Sequence, residues 1–200
     1  MFSMRVFIAV DINQQIKEAI SRLQGQLQRK SGIGKGQATW VKPDAMHLTL
    51  KFLGEIDDKQ LDSVRKTVEE IVKKHKSFEL SVESVGFFGG KATSDERSRI
   101  AKVLWVGSAK GSDNLSALAK DIEESLSQAG FEKEQREFAA HLTICRIKDF
   151  AAGKRLAELA DDLTDFKAGI VFIDAVKIYQ SQLTPAGPIY TELANYKLGQ

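Results

Sequence analysis

Two copies of one short motif hold the residues of this 200-residue chain whose types and spacing could do chemistry. The sequences HLTL at 47–50 and HLTI at 141–144 are nearly identical and lie 94 positions apart. Because side chains alternate between the faces of a strand, the histidine and the threonine of each copy would share a face, with Cα atoms about 6–7 Å apart. With only three histidines in the chain, a chance repeat of this spacing has a probability on the order of one percent. The pair of motifs therefore predicts one functional site.

Two histidines and two threonines suit chemistry on a phosphate. Of the pair His47 and His141, one can act as a neutral base and the other as an imidazolium acid near neutral pH. The hydroxyls of Thr49 and Thr143 can donate hydrogen bonds to the non-bridging phosphate oxygens as negative charge grows in the transition state. We predict that these four residues hydrolyse a phosphodiester without a metal ion.

A metal site is the first alternative for the same residues. Zinc usually takes three or four ligands, and the sequence has neither a cysteine pair nor a close His-x-x-x-His. A site built from His47, His141 and a carboxylate stays open, whereas His75 follows two lysines near a helix end and is expected to be solvated. Cys145, on the face of His141 by alternation, is interpreted as a small strand residue near the site. We predict no metal and no cofactor.

Basic residues lie close to each motif. Lys51 is four positions after His47 and would share its face in a regular strand. Arg146 is five positions after His141 and would face away unless the strand bulges, and Arg136 precedes the second motif. Each is a candidate substrate-binding residue, because lysine and arginine clamp phosphates. A solvated surface charge is the alternative for each.

The motifs are embedded in a succession of strands and helices. Alternating or β-branched apolar runs predict strands at residues 5–12, 39–41, 47–54, 78–88, 100–106, 138–147, 168–182 and 188–198. Helical spacing predicts helices from residue 13 to a glycine-rich loop at 31–36, from 57 or 58, over 112–129 and about 154–163. Polar, glycine- and proline-containing segments predict a hairpin loop at 89–99 and a turn at 184–188. Each motif follows an amphipathic helix, which indicates a two-lobed α+β fold of duplicated halves facing each other.

Composition bounds the class of protein. Hydrophobic residues at 42% and charged residues at 28% are typical of a globular domain, and the net charge of +2 predicts no overwhelming polyanion-binding surface. The single cysteine excludes an internal disulfide and fits a reducing compartment. The N-terminal apolar run is too short for a secretory signal, and no run approaches a membrane span of about 18 residues. We expect a cytoplasmic monomer, outside membranes, with one two-lobed domain over residues 1–200.

The paired motifs resemble those of the 2H phosphoesterase superfamily, and most closely its 2′-5′ RNA ligase or RNA 2′,3′-cyclic phosphodiesterase branch, the LigT-like family. The resemblance covers nearly the whole chain. It rests on FIAV at 7–10, WVKP at 40–43 with HLTLKFLG at 47–54, the segment 138–146, and the final hairpin at 181–183 and 187–190. Ala140 stands where the family often has proline before the second histidine, a departure that leaves both motifs in place.

This resemblance implies a fold and a reaction. The fold would have two pseudo-symmetric lobes, each an antiparallel sheet with outer helices, with the active-site cleft between them. The reaction would convert an RNA 2′,3′-cyclic phosphate into a 2′-phosphate end by breaking the bond from phosphorus to the 3′ oxygen, with His47 assigned as acid and His141 as base. Reversible 2′-5′ joining of RNA ends is also implied. The expected partners are RNAs with 2′,3′-cyclic phosphate or 2′-phosphate ends, such as tRNA halves.

Three phenylalanines near the motifs are candidates to stack on the terminal base. Phe7 lies in the first strand, Phe88 is the last residue of a long alternating strand, and Phe52 alternates away from the first motif histidine. Burial in the core is the competing interpretation for each of them.

Two further functions remain open on the sequence. The same chemistry could act on a small cyclic nucleotide or on a 2′-5′-linked oligoadenylate, because the overall charge does not decide the size of the substrate. A non-catalytic module that binds RNA ends would need phosphate donors but no acid and base at one phosphorus.

Overall fold

The fold is described from a computed structural model of the chain, over residues 3–91, 99–185 and 187–199. The strands are β1 Met4–Asp11, β2 Ala38–Trp40, β3 His47–Ile56, β4 Phe78–Lys91, β5 Arg99–Ser108, β6 Leu142–Ile147, β7 Lys167–Ile173, β8 Ala175–Thr184 and β9 Gly187–Lys197. The helices are α1 Gln14–Ser31, α2 Asp58–Val72, α3 Ser112–Gln128 and α4 Phe150–Asp161, and a single 3₁₀ turn, Pro43–Ala45, precedes β3.

Local signals explain where the helices begin and end. Asn13 caps α1 by accepting from the backbone of Ile16, and Gly32 ends it in the left-handed conformation that glycine adopts readily. Asp57 and Gln60 form a reciprocal capping box at the start of α2. The four predicted helices are therefore confirmed, with the predicted caps Asn13 and Asp57 at the first two, whereas α4 begins at Phe150 rather than near residue 154.

The strands form two antiparallel sheets. The four-stranded sheet has the order β3-β1-β8-β9 and the five-stranded sheet the order β2-β6-β5-β4-β7. Helices α2 and α3 pack against each other and against the first sheet, while α1 and α4 pack against the second. The predicted α+β class, with two antiparallel sheets and outer helices, is confirmed.

The two sheets repeat one topology. The order β3-β1-β8-β9 corresponds to β6-β5-β4-β7, and β2 is an additional edge strand. In each half, the strand that carries a motif lies next to the strand that precedes it across a helix, β1–α1–β3 in one and β5–α3–β6 in the other. The duplication predicted from the motifs is thus visible in the order of the strands.

Two predicted strands are wrong in their bounds. The strand expected at 138–147 begins only at Leu142, and residues 132–141 have neither helical nor strand structure. The strand expected at 168–182 is interrupted at Asp174, with β7 in the five-stranded sheet and β8 in the four-stranded sheet. Ile173 pairs with β4 whereas Ala175 pairs with β9, and an apolar run does not reveal a change of partner. Of the predicted loop and turn, residues 92–98 and 186 lie outside the described residues.

One hydrophobic core joins the two halves. Buried side chains from both sheets, such as Ile8, Leu48, Leu104 and Leu142, belong to a single packed cluster with residues of all four described helices. The motif strands therefore lie on a common rigid support. Within the described ranges, no helix is both long and apolar enough to cross a membrane.

Candidate active site

The two motif histidines occupy equivalent places. His47 is the first residue of β3, and His141 directly precedes β6. Each ring bonds to the backbone of the alanine two residues earlier: Nδ1 of His141 lies 2.7 Å from the Ala139 carbonyl oxygen, and His47 bonds to Ala45. Because a carbonyl can only accept, Nδ1 of His141 carries the proton and Nε2 is left to exchange one with a substrate.

The same β-bulge interrupts both motif strands. In β3 the ladder with β1 passes from Thr49 directly to Lys51, so Leu50 is an extra residue. In β6 the ladder with β5 omits Ile144 in the same way. Each bulge lies three residues after the histidine, and an extra residue reverses the alternation of faces beyond it. The symmetry of the site therefore extends to this backbone irregularity.

The bulges correct the predicted faces of the residues that follow. The fourth residue after each histidine, Lys51 or Cys145, is buried, while the fifth, Phe52 or Arg146, is exposed. The expected face of Cys145 is wrong, and burial raises the pKa of its thiol to about 12, which makes it a poor nucleophile. Arg146 was expected to share the face of His141 only if its strand bulges, and β6 has this bulge. Phe52 is 68% exposed on the face of the first motif.

Lys51 is not a phosphate ligand, contrary to prediction. Its side chain is buried, and its Nζ donates to both carboxylate oxygens of Glu123 at 2.7 and 2.8 Å and to the Glu132 carbonyl at 2.9 Å. An ammonium group with three protein acceptors has no free donor for a substrate.

Aromatic rings pack around the His47 imidazole. Phe7 stacks on it with ring centroids 4.6 Å apart, Tyr190 meets both rings edge-on at 5.1 Å, and Tyr179 stacks on Phe7 at 5.4 Å. Phe7 is only 2% exposed, so the prediction that it stacks on a base is wrong and its ring supports His47 instead. Neither tyrosine was predicted as a site residue, because nothing in the sequence except its place in the C-terminal strands distinguishes it.

His141 has a different neighbourhood. Phe88, which is 43% exposed, meets its ring edge-on at 4.9 Å and lies 5.5 Å from the ring of Trp105. Trp105 lies across Gly86, where an added Cβ would come within 2.3 Å of the indole ring. Phe88 is thus placed beside the second motif with a free surface, and its role in base stacking stays a prediction.

A polar network lies beside His47. The Tyr179 hydroxyl donates to Asp11 at 2.9 Å, and Lys177 Nζ contacts the carboxylates of Asp11 at 2.9 Å and Glu192 at 2.7 Å. Asp11 is the ladder partner of His47. Desolvation lowers the pKa of His47 to about 4, although the Asp11 carboxylate opposes this effect. The imidazole is therefore neutral at neutral pH before any ligand binds.

The two motifs lie on neighbouring strands of different sheets. Strands β3 and β6 contact each other across the boundary between the sheets. Burial raises the pKa of Tyr190 in the four-stranded sheet, and the positive charge of Arg146 in the five-stranded sheet counteracts this effect. Arg136 is exposed and lines a pocket of about 600 Å³ together with Phe52 and Lys133. Thus Arg146 and Arg136 lie near the motifs, and their binding roles stay predictions.

The third histidine, His75, was expected to be solvated, but it bonds to another side chain. A ring nitrogen of His75 lies 2.8 Å from a carboxylate oxygen of Asp121, because the end of α2 packs on α3. Among the residues that the structure describes, no three His, Cys, Asp or Glu side chains are grouped to hold a metal ion.

Comparison with known proteins decides the family. The sequence pattern of the family described as LigT like Phosphoesterase matches residues 10–95 and 106–190. This chain belongs to the LigT-like family. A Thermotoga maritima protein named RNA 2′,3′-cyclic phosphodiesterase is 36% identical over 95% of this chain and 93% of its own length. A protein of the same name from Methanothermobacter thermautotrophicus is 30% identical over 97% of this chain and 98% of its own.

Solved structures of other proteins show the same fold. E. coli LigT complexed with 3′-AMP has a TM-score of 0.74 at 22% identity and covers 100% of both chains. The Thermus thermophilus protein TT0787 has a TM-score of 0.77 at 20% identity, over 98% of this chain and 100% of that one. The predictions of a two-lobed LigT-like fold and of an enzyme of the 2H phosphoesterase superfamily are confirmed.

Proposed function

We propose that this LigT-like protein hydrolyses RNA 2′,3′-cyclic phosphate ends to 2′-phosphate ends by paired histidine catalysis that needs no metal. One observation carries the proposal: two His-x-Thr motifs, with matching bulges and matching backbone bonds to their histidines, lie on strands β3 and β6, which contact each other. The name shared by the relatives from Thermotoga and Methanothermobacter supports the choice of substrate.

The reaction follows from the roles of the four motif residues. His141 accepts a proton from water through Nε2, and the oxygen attacks phosphorus. The bond from phosphorus to the 3′ oxygen breaks, and His47 gives its proton to that oxygen, which leaves a 3′-hydroxyl and a 2′-phosphate. Thr49 and Thr143 donate hydrogen bonds to the non-bridging oxygens, where charge accumulates.

The role of acid requires that substrate binding raise the pKa of His47, which is about 4 in the unliganded protein, so that the imidazole takes up a proton from the solvent. A phosphate anion about 4 Å from the imidazolium attracts it by roughly 4 kcal/mol at an effective dielectric constant near 20. Since about 1.4 kcal/mol raises a pKa by one, the bound anion brings His47 to a pKa near 7. Binding of the substrate thereby favours the protonated form of His47, which acts as the acid.

Residues around the motifs would bind the rest of the nucleotide. Arg146 would pair with a phosphate oxygen, and the exposed ring of Phe88, next to His141, would stack on a base. Phe52 and Arg136 flank the adjoining pocket. We assign the stacking role to Phe52 and Phe88, since both expose their rings.

We further propose that residues 1–200 act as one two-lobed domain, a cytoplasmic monomer, on RNA fragments such as tRNA halves. The continuous core supports one domain. Joining of 2′-5′ ends is the same attack on the cyclic phosphate with a 5′-hydroxyl in place of water, so the histidine pair would support it in the same roles, and would exchange those roles when the joined ends are cleaved again.

The test is an oligonucleotide that ends in a 2′,3′-cyclic phosphate, incubated with the protein in EDTA. We expect conversion to a 2′-phosphate end, and loss of conversion in His47→Ala and His141→Ala at unchanged Tm. His75→Gln is the matched histidine control, expected to retain activity because His75 bonds to Asp121. Absence of turnover, or turnover lost only in EDTA, would contradict the metal-free mechanism.

The same assay separates the alternatives. Faster turnover of a small cyclic nucleotide or of a 2′-5′-linked oligoadenylate than of the RNA would replace the substrate but keep the chemistry. Binding of the RNA end without turnover, retained when both motif histidines are replaced, would identify a non-catalytic module.

A further inference from the structure

A buried ion pair joins the first motif strand to α3. Lys51 and Glu123 are 2.7 Å apart, with 3% and 16% of their side chains exposed. Lys51 lies in β3, four residues after His47, and Glu123 lies in α3. One partner of the ion pair therefore lies in the strand that carries the first motif.

The ion pair holds the chain segment that leads to the second motif. Lys51 Nζ donates to the Glu132 carbonyl at 2.9 Å, and the Glu134 backbone N–H donates to the Glu123 carboxylate at 3.0 Å. Residues 132–141 have no helix or strand to fix them, and His141 is their last residue. Two hydrogen bonds from one ion pair therefore fix the beginning of this segment.

Stability alone does not account for a charged pair at this place. Burying a lysine and a glutamate costs several kcal/mol per ion, and well-packed apolar residues of similar size are often as stable or more stable. The equivalent position after the second bulge is Cys145, an apolar and fully buried residue. The bulged strand thus forms without a charge there, and what the charged pair adds is its two bonds to the segment.

We propose that Lys51 and Glu123 are positioning residues that fix the second motif relative to the first. The proposal rests on the proposed function. His47 and the pair share β3, the pair fixes Glu132 and Glu134, and the segment then delivers His141 to the cleft. Loss of these bonds lets His141 move from its place, and a displacement of about 1 Å can cost on the order of 100-fold in rate.

The test removes both charges together. In the double variant Lys51→Met, Glu123→Met no buried charge is left unpaired, so we expect an unchanged or higher Tm. We expect kcat on the cyclic-phosphate oligonucleotide to fall 10- to 100-fold with little change in KM, because orientation rather than binding is lost. Lys51→Arg, which keeps donors for both acceptors, should retain most of kcat. The matched control is Lys110→Met, Glu79→Met, an exposed pair at 2.7 Å, which should leave kcat unchanged.

A second readout does not depend on turnover. The ¹⁵N signals of the His141 imidazole report the tautomer that the Ala139 carbonyl selects. In the double Met variant we expect these signals to move toward a mixture of tautomers. If that variant fails to fold, the charge-swapped Lys51→Glu, Glu123→Lys restores an ion pair but provides neither bond to the segment, and it should show the same two changes.

The outcomes separate the two proposals. An inert wild-type protein with the His141 signal change would refute the proposed function and leave the positioning role in place. An active wild type, with a double variant within about twofold in kcat and unchanged His141 signals, would overturn the positioning role.

Discussion

Filling the phosphate site should raise the pKa of His47 from about 4 to near 7, with the magnitude set by one anion about 4 Å away at an effective dielectric constant near 20. The perturbation is the addition of inorganic phosphate, which provides the charge of the substrate without its reaction. The low starting pKa comes from desolvation, and Asp11 is already included in it. The rise therefore measures how strongly the site attracts an anion.

The assay is a pH titration of the imidazole ¹H–¹³C NMR signals with and without saturating phosphate, assigned with His47→Gln. The His75 ring, which bonds to Asp121, is the internal control, and adding phosphate at constant pH should leave its NMR signals in place. Proton uptake on binding at pH 6, seen by calorimetry in two buffers of different ionisation enthalpy, should accompany the shift. A free-protein His47 that titrates near 6.5, or phosphate that binds without moving it, would refute the reasoning.

Three further predictions address the stability and the surroundings of the site. Because the folded pKa of His47 lies below the unfolded value of 6.5, the unfolded chain takes up the proton first as pH falls. Between pH 6.5 and about 4 this residue should remove roughly 3 kcal/mol of folding stability, a loss absent from urea titrations of His47→Gln. Phe7→Leu should lower kcat about tenfold by releasing the imidazole, whereas Phe88→Leu should raise KM roughly 5- to 100-fold by removing a stacking surface; equal effects on both parameters would contradict this division. Cys145 should resist iodoacetamide in the native state, since its thiol is buried with a pKa near 12, and rapid labelling would show an open strand.

The motif residues and the helices could be predicted because their signals are local. A repeated His-Leu-Thr is visible in the sequence, and the capping residue Asn13 and the apolar spacing of α1 indicate that helix without reference to the rest of the chain. The two-lobed arrangement followed from the repeat of these local patterns. The strand order then confirmed it.

The faces of Lys51, Phe52 and Arg146 depended on information that the sequence does not carry locally. A bulge is a property of two paired strands, and the extra residues Leu50 and Ile144 are ordinary strand formers. Regular alternation consequently placed Lys51 on the substrate side, when its partners lie in α3 and at residue 132.

Tyr190 and the neutral state of His47 were equally out of reach from the sequence. The tyrosine comes from β9, and its contact with His47 exists only because the last strands join the sheet of the first. The low pKa of His47 results from burial beneath side chains that are distant in the chain.

The side chains around the two motifs differ, and this difference favours one orientation of a bound substrate. A cleft with perfect two-fold symmetry would accept a cyclic phosphate in two opposite orientations, and each histidine would serve as acid half of the time. Here the ladder partners next to Thr49 lead to Lys177 and its carboxylates, whereas those next to Thr143 lead to Trp105 lying across Gly86. The side of His47 therefore combines aromatic rings with the charged Lys177 network, whereas the side of His141 has the rings of Phe88 and Trp105, so a nucleotide meets two unlike walls and the duplicated halves can hold different roles.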